Sequence, residues 1–272
     1  MRGTPLRAAL LRSLLFAFAF FLSLSPQPRA AAGEPKLDGL RLVAELPAEL
    51  PKRVSGLAFD GKKIWVVIYH GGGLYATLDP STLGWEVGRE EARRAAFREV
   101  AGSFQAPSGV CFAGERLWVG GSYGDSFGYI DTRDWKVGRA FKGRLREDPA
   151  SQSYQGLACD GTNVWMAWHW FKYSIPTTRT QLLLKVDAQT GKVVAEYPLP
   201  AGTAPDMTHG LTWDGERLWH MKDSLLCSIN PANGYVIRRY GLPDVKRASG
   251  LAWDGESLWI AEFDGKLWRL PF

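Results

Sequence analysis

Only three cysteines occur in the 272 residues, at Cys111, Cys159 and Cys227. Their spacing fits no zinc pattern, and an odd count set far apart is not a disulfide framework. Each stands where neighbouring segments of similar sequence carry an apolar residue, so all three are expected as small buried hydrophobes. Also missing are a nucleophile elbow, a dinucleotide-binding motif, a phosphate loop and an HExxH pattern. The Gly71-Gly72-Gly73 run follows a strand pattern but opens no helix, which leaves a phosphate-binding role without its helix N-terminus. Acidic residues are absent from the first 32 positions, and no second long apolar run follows the one that ends near Leu24.

Those first 32 residues have an order of their own. Arg2, Arg7 and Arg12 precede the apolar run LLFAFAFFLSL (14–24). Pro26, Pro28 and the small-residue stretch Ala30-Ala31-Ala32 come next. Basic, apolar, then small is the pattern of a secretory signal peptide, and the run is shorter than the roughly 20 residues of a membrane span. Cleavage after Ala32 is expected, with residues 33–272 forming one soluble, secreted or periplasmic domain. Lipid attachment is not expected, because no cysteine precedes Cys111. Removing four arginines from 33 basic side chains leaves 29 against 28 acidic ones, a net charge of +1. A near-neutral chain lacks the positive field that nucleic acid or an anionic membrane requires, so neither is expected as a partner.

What the sequence has in abundance is repetition. Five segments align without gaps: SGLAFDGKKIW (55–65), SGVCFAGERLW (108–118), QGLACDGTNVW (155–165), HGLTWDGERLW (209–219) and SGLAWDGESLW (249–259). Each places Gly nine residues before Trp, and successive glycines are 53, 47, 54 and 40 residues apart. An apolar run, Asp-Gly and a second run of β-formers read as two strands joined by a tight hairpin. A third strand follows in every unit, and a fourth in three of them. In the first unit the charged stretch 89–99 is expected to hold one helical turn or two. Four antiparallel strands in a repeat of this length are a propeller blade. The fold expected is therefore all-β, a five-bladed β-propeller. The last unit ends at Phe272 after three strands, and RLVAELP (41–47) resembles the fourth strand VVAEYPLP (193–200). The N-terminal strand is thus expected to complete the last blade and remove its open edge.

Trp65, Trp118, Trp165, Trp219 and Trp259 share one repeat position and read as packing between blades. Asp60, Asp160, Asp214 and Asp254 read as turn formers. Function is expected on the face that carries the long, irregular connections 88–107, 141–154, 170–181 and 200–208, called the loop face below. One ring there comprises Ser55, Ser108, Gln155, His209 and Ser249, each before a repeat Gly. A second ring lies three or four residues after each Trp and includes Trp168, His169, Lys222 and Glu262. Gln155, Trp168, His169, His209, Lys222 and Glu262 are the candidate ligand contacts, and Gln155 and His209 the candidate catalytic residues. Inner strands of such rings also carry polar residues that bond one another and channel water, so both readings stay open. His169 and His209 lack metal-ligand spacing, and neither a metal nor another cofactor is expected. His220, directly after Trp219, is expected inside a blade. Trp170, Phe171 and Tyr173 form either a lid or partner patch, or simply pack their own loop.

The run QGLACDGTNVW (155–165), with LLKVDAQTGKVV (183–194), resembles the plant-type glutamine cyclotransferases. Those are five-bladed propellers that convert N-terminal glutamine to pyroglutamate with release of ammonia. The resemblance implies that Gln155 is the family's pocket glutamine. Ser153 and Tyr154 stand where the family has an aromatic residue and Thr; His209 stands in place of its Glu, and Ser249 in place of its Trp. The repeats are also similar to those of streptogramin lyases, which have seven blades. The function expected is an exported, monomeric propeller that binds a small molecule, peptide or protein at the mouth of its channel. The alternative is a glutamine cyclotransferase-like enzyme or a propeller lyase.

Overall fold

The computed structural model describes residues 33–69, 73–101, 107–122, 126–142, 152–172, 178–200 and 210–272. A first strand β1 (Arg41–Glu45) precedes five four-stranded antiparallel sheets arranged in a ring. Sheet one is β2 (Val54–Phe59), β3 (Ile64–Ile68), β4 (Tyr75–Leu78) and β5 (Trp85–Gly88). After helix α1 (Glu91–Ala101), sheet two is β6 (Pro107–Ala113), β7 (Arg116–Gly121), β8 (Ser126–Asp131) and β9 (Lys136–Lys142). Sheet three is β10 (Gln152–Cys159), β11 (Asn163–Lys172), β12 (Thr178–Asp187) and β13 (Val193–Pro198). Sheet four is β14 (Gly210–Trp213), β15 (Leu218–Lys222), β16 (Leu225–Ile229) and β17 (Val236–Gly241). Sheet five is β18 (Ala248–Trp253), β19 (Ser257–Glu262) and β20 (Lys266–Pro271), completed by β1. β1 lies antiparallel on β20, Arg41 opposite Arg269 and Glu45 opposite Lys266, so the expected closure is observed.

There is no single core. Five apolar clusters fill the five wedges between sheets, and each repeat tryptophan reaches into the wedge ahead of it. Trp65 packs with Val110 and Leu117 of sheet two, and Trp118 with Leu157 and Val164 of sheet three. Trp165 packs with Leu211 and Leu218, Trp219 with Leu251 and Leu258, and Trp259 with Leu57 and Ile64.

The repeated aspartates do more than turn the chain. Asp214 Oδ1 accepts the backbone N–H of Glu216 at 2.8 Å and of Arg217 at 2.7 Å, while Oδ2 accepts the Trp219 indole N–H at 2.7 Å. Asp60, Asp160 and Asp254 make the same three contacts, the indole bonds to Trp65, Trp165 and Trp259 being 2.7, 2.8 and 2.8 Å. Each turn needs the following glycine, whose φ lies at +96°, +93°, +108° and +105° for Gly61, Gly161, Gly215 and Gly255. One carboxylate thus fixes a hairpin and orients the ring that fills the wedge.

Sheet two lacks this device, since Ala113 stands where the others have Asp. It has a covalent tie in the same neighbourhood. Cys111 and Cys159 form a disulfide with Cα atoms 6.0 Å apart, which corrects the expectation of three buried thiols; only Cys227 is free and buried. Cys111 projects from β6 into the wedge toward sheet three, and Cys159 from β10 into the same wedge.

Two connections also depart from expectation. Residues 91–101 form eleven residues of helix, about three turns, rather than one or two. Ala, Arg and Glu favour the helix, and Phe97, Val100 and Ala101 bury one face of it. Of the segment expected as a loop over 170–181, residues 170–172 and 178–181 are strand, and the rest lies outside the described residues. β11 and β12 stay paired out to Lys172 opposite Thr178, so this hairpin extends about 13 Å beyond one that stops where β15 does.

Asp214→Ala should lower the unfolding free energy by about 3 kcal/mol in urea, because it strands a buried indole and two turn amides. Ala113→Asp should raise it, and reduction of Cys111–Cys159 should lower it by about 2–4 kcal/mol. An Asp214→Ala protein as stable as the parent would remove the carboxylate from this role.

Candidate functional site

Four of the innermost strands carry a β-bulge beside the repeat glycine. In sheets one, two and five the residue stepped over is the serine of the first ring. Ser55 Oγ donates to Val67 O at 3.2 Å and to Pro107 O of the next sheet at 2.8 Å. Ser108 Oγ does the same with Gly120 O at 3.3 Å and Tyr154 O at 2.8 Å. Ser249 Oγ donates to Ala261 O at 3.4 Å. These hydroxyls serve the ring itself, two of them tying one sheet to the next.

Gln155 is different. Its sheet steps over Gly156 instead, so Gln155 stays in register opposite Ala167. Nε2 donates to Ser153 Oγ at 3.1 Å, and Ser153 Oγ lies 3.2 Å from Ser122 Oγ at the end of β7. The side chain is 6% exposed, and its Oε1 is buried without a hydrogen-bond partner among the described residues. Three residues earlier, Gln152 is 0% exposed, with neither Oε1 nor Nε2 bonded among the described residues. Both glutamines sit at the loop-face end of β10, the innermost strand of its sheet. Buried amides are normally satisfied, so each exception needs a reason, and the two point to opposite faces of β10.

The remaining candidates divide among the sheets. Trp168 is fully buried in the wedge between sheets two and three. His169 lies on the opposite face of β11, across from Ser153 and Gln181, with Gln181 Nε2 3.5 Å from its Nδ1. Gln155 and His169 are therefore brought to one face of one sheet, with Ser153 between them. Lys222 is buried in sheet four beside His220. Glu262 is buried in sheet five, its Oε1 accepting the Trp268 indole N–H at 2.7 Å. Trp170 is half-buried against the Trp168 wedge; His209 and Tyr173 lie outside the described residues. Among the described residues, no three His, Cys, Asp or Glu side chains gather as a metal site.

Sequence reasoning passed over Gln152, and left Ser153 and Ser122 out of the candidate contacts. Period-two alternation over QSYQ (152–155) puts Ser153 and Gln155 on one face, which was the available signal. It gave His220 little weight. That ring is fully buried, opposite Leu211 and Cys227, and its pKa is pushed down to about 3, by burial first and then by the Lys222 charge.

A neutral buried histidine makes stability depend on acid. Below about pH 6.5 the unfolded chain binds a proton that the folded one refuses, so stability falls as pH drops from there toward 3. Between pH 7 and pH 5 the parent should lose about 2 kcal/mol more than His220→Gln in denaturant titrations. Equal losses would show that His220 does not carry this dependence.

No family model matches the chain, and no curated protein matches it. Among solved structures it is similar to Myxococcus xanthus glutaminyl cyclase, with TM-score 0.56 and 13% identity over 85% of this chain and 95% of that one. A luciferin-regenerating enzyme matches with TM-score 0.50 and 11% identity over 88% of this chain and 96% of that one. At such identities the likeness is one of fold: this chain is a five-bladed β-propeller.

Proposed function

We propose that the protein is exported and captures a ligand, either a small molecule or the end of a peptide or protein, on its loop face at sheet three. The observation that carries this reading is Gln155, whose buried Oε1 has no hydrogen-bond partner among the described residues, on the face it shares with Ser153 and His169. A ligand bearing a hydrogen-bond donor would satisfy it, and the ligand's removal from water would be offset by a bond the free protein lacks. The tall β11–β12 hairpin gives the site a wall on one side. Export is supported by the basic, apolar and small-residue order of residues 1–32, and by a disulfide that an oxidising compartment would preserve.

A second reading has its own support. Gln155 holds the position that the resemblance to glutamine cyclotransferases gives to a pocket residue. In that reaction the substrate α-amine attacks its own side-chain amide carbon, a five-membered lactam forms, and ammonia leaves. Gln155 would orient the amide being attacked, and His209 would move the proton.

One experiment separates the two. Purified protein is mixed with a peptide bearing N-terminal glutamine; binding is followed by calorimetry and ammonia release by a coupled assay. Gln155→Ala and Gln152→Ala run beside it. Turnover that falls at least a hundredfold in Gln155→Ala establishes the enzyme reading. Binding without turnover, weakened in Gln155→Ala and not in Gln152→Ala, which faces the other side of β10, supports capture alone. If neither is seen, a panel of amides, sugars and peptides is screened by thermal shift; a panel that never stabilises the parent above Gln155→Ala ends the proposal.

A further inference from the structure

Sheets three and four face each other across the wedge that Trp165 fills, and strand register fixes which side chains meet there. Ala167 and Leu183 of sheet three pack in it against Leu211 and Cys227 of sheet four. Side chains directly opposite on paired strands share a face. Gln155 is opposite Ala167, and His169, two residues on, is opposite Ser153 and Gln181, so sheet three turns these polar groups toward sheet four. On the facing wall His220 is opposite Leu211 and Cys227. Lys222 is opposite Leu225, which packs on the same apolar cluster. Lys222 is also the last residue of β15, at the loop-face end of that strand. The wedge is thus apolar in its depth and polar at its loop-face mouth, with Gln155 and His169 on one wall and Lys222 on the other.

The charge at this mouth has one sign. Lys222 is 2% exposed, and its ammonium is close enough to His220 to help push that ring's pKa down. Arg239, opposite Cys227, adds a second cation at the exposed outer edge of the same wall. Among the described side chains, the acids of these strands lie at the far end: Asp160 and Asp214 hold the Trp165 and Trp219 indoles, and Asp187 caps its own turn. A buried ammonium is always engaged, and Lys222 is, but three donors let it hold a ligand oxygen as well. Across from it Gln155 Oε1 is an acceptor without a donor among the described residues.

We infer that the ligand captured here carries a carboxylate next to an N–H group, as an N-acylated amino acid or the C-terminus of a peptide does. The N–H donates to Gln155 Oε1, and the carboxylate accepts from the Lys222 ammonium. This rests on the capture proposed above and narrows it to one chemical class. Gln155 is neutral and asks only for a donor; Lys222 is what asks for negative charge. The same ammonium repels a cationic ligand in a setting with little water to screen it, and a free N-terminal amine is such a ligand.

The probes are N-acetylated tripeptide libraries, one with free C-termini and one with C-terminal amides, and a set of N-acetyl amino acids. Each is passed over immobilised protein, retained members are identified by mass, and their affinities are measured by calorimetry. Free acids should bind about tenfold or more tightly than the amides of the same sequence. Lys222→Met should abolish that preference, and Gln155→Ala should weaken acids and amides alike. Retention of the single amino acids identifies a small ligand, and retention of tripeptides alone identifies a chain end. The acid–amide comparison uses the parent protein, so it stands whether or not Lys222→Met folds. Acids and amides bound equally, both weakened by Gln155→Ala, would overturn the inference and leave capture standing. An acid preference that survives in folded Lys222→Met would overturn it too, as would retention of neither library, with the wider ligand panel left to judge capture itself.

Discussion

Five indole N–H groups sit in five wedges, and four of them point at a carboxylate five residues back in the chain. That contact couples a local event, closure of a hairpin, to a distant one, the packing of a sheet on its neighbour. A tryptophan left to choose its own rotamer would fill the wedge in several ways; a tryptophan bonded to its own turn fills it in one. The glycines at the ring's inner rim follow from the same packing. Drawn together by the tryptophans, the inner strands approach until a Cβ on Gly250 would lie 2.7 Å from Leu57 N, and one on Gly109 2.8 Å from Gly156 N. Side chains are excluded there by backbone, and the nine-residue spacing from Gly to Trp measures the distance between these two constraints.

This explains what could be read from the sequence. Gly, Asp-Gly and Trp recur because each blade meets the same two constraints, so blade number, strand order and ring closure were all legible. The disulfide was not. Cys111 lies two residues after its repeat glycine and Cys159 three after its own, so an alignment places them in different columns. They become neighbours only once one is known to face forward and the other back. The Asp–Trp bond was half legible: the five-residue spacing was on the page, but a turn-forming role accounted for the aspartate without it.

The candidate site was legible where it belongs to the repeat and obscure where it departs from it. Ser55, Ser108 and Ser249 were marked by their column, and that column turned out to be ring closure. Gln155 was marked by breaking the column, and it alone of that ring's described members keeps an unbonded polar atom. Gln152 precedes the aligned segment, and no comparison among repeats could single it out. Function in a repeat protein is written in the deviations, and a deviation has meaning only after the common pattern has been explained physically.

The seam between β1 and β20 sets an order of events. Every other sheet is complete within one stretch of chain, but the fifth waits for Arg41 to meet Arg269, residues from opposite ends of the domain. Chain entropy opposes that meeting more than any other contact in the ring, and the search for it governs how fast the last sheet can form. Until it succeeds, β20 presents a bare edge along which a second molecule's β1 could pair as readily as its own. The same strand that gives one chain its closure is thus the strand through which two chains would exchange ends, and dilution during refolding decides which of the two outcomes prevails.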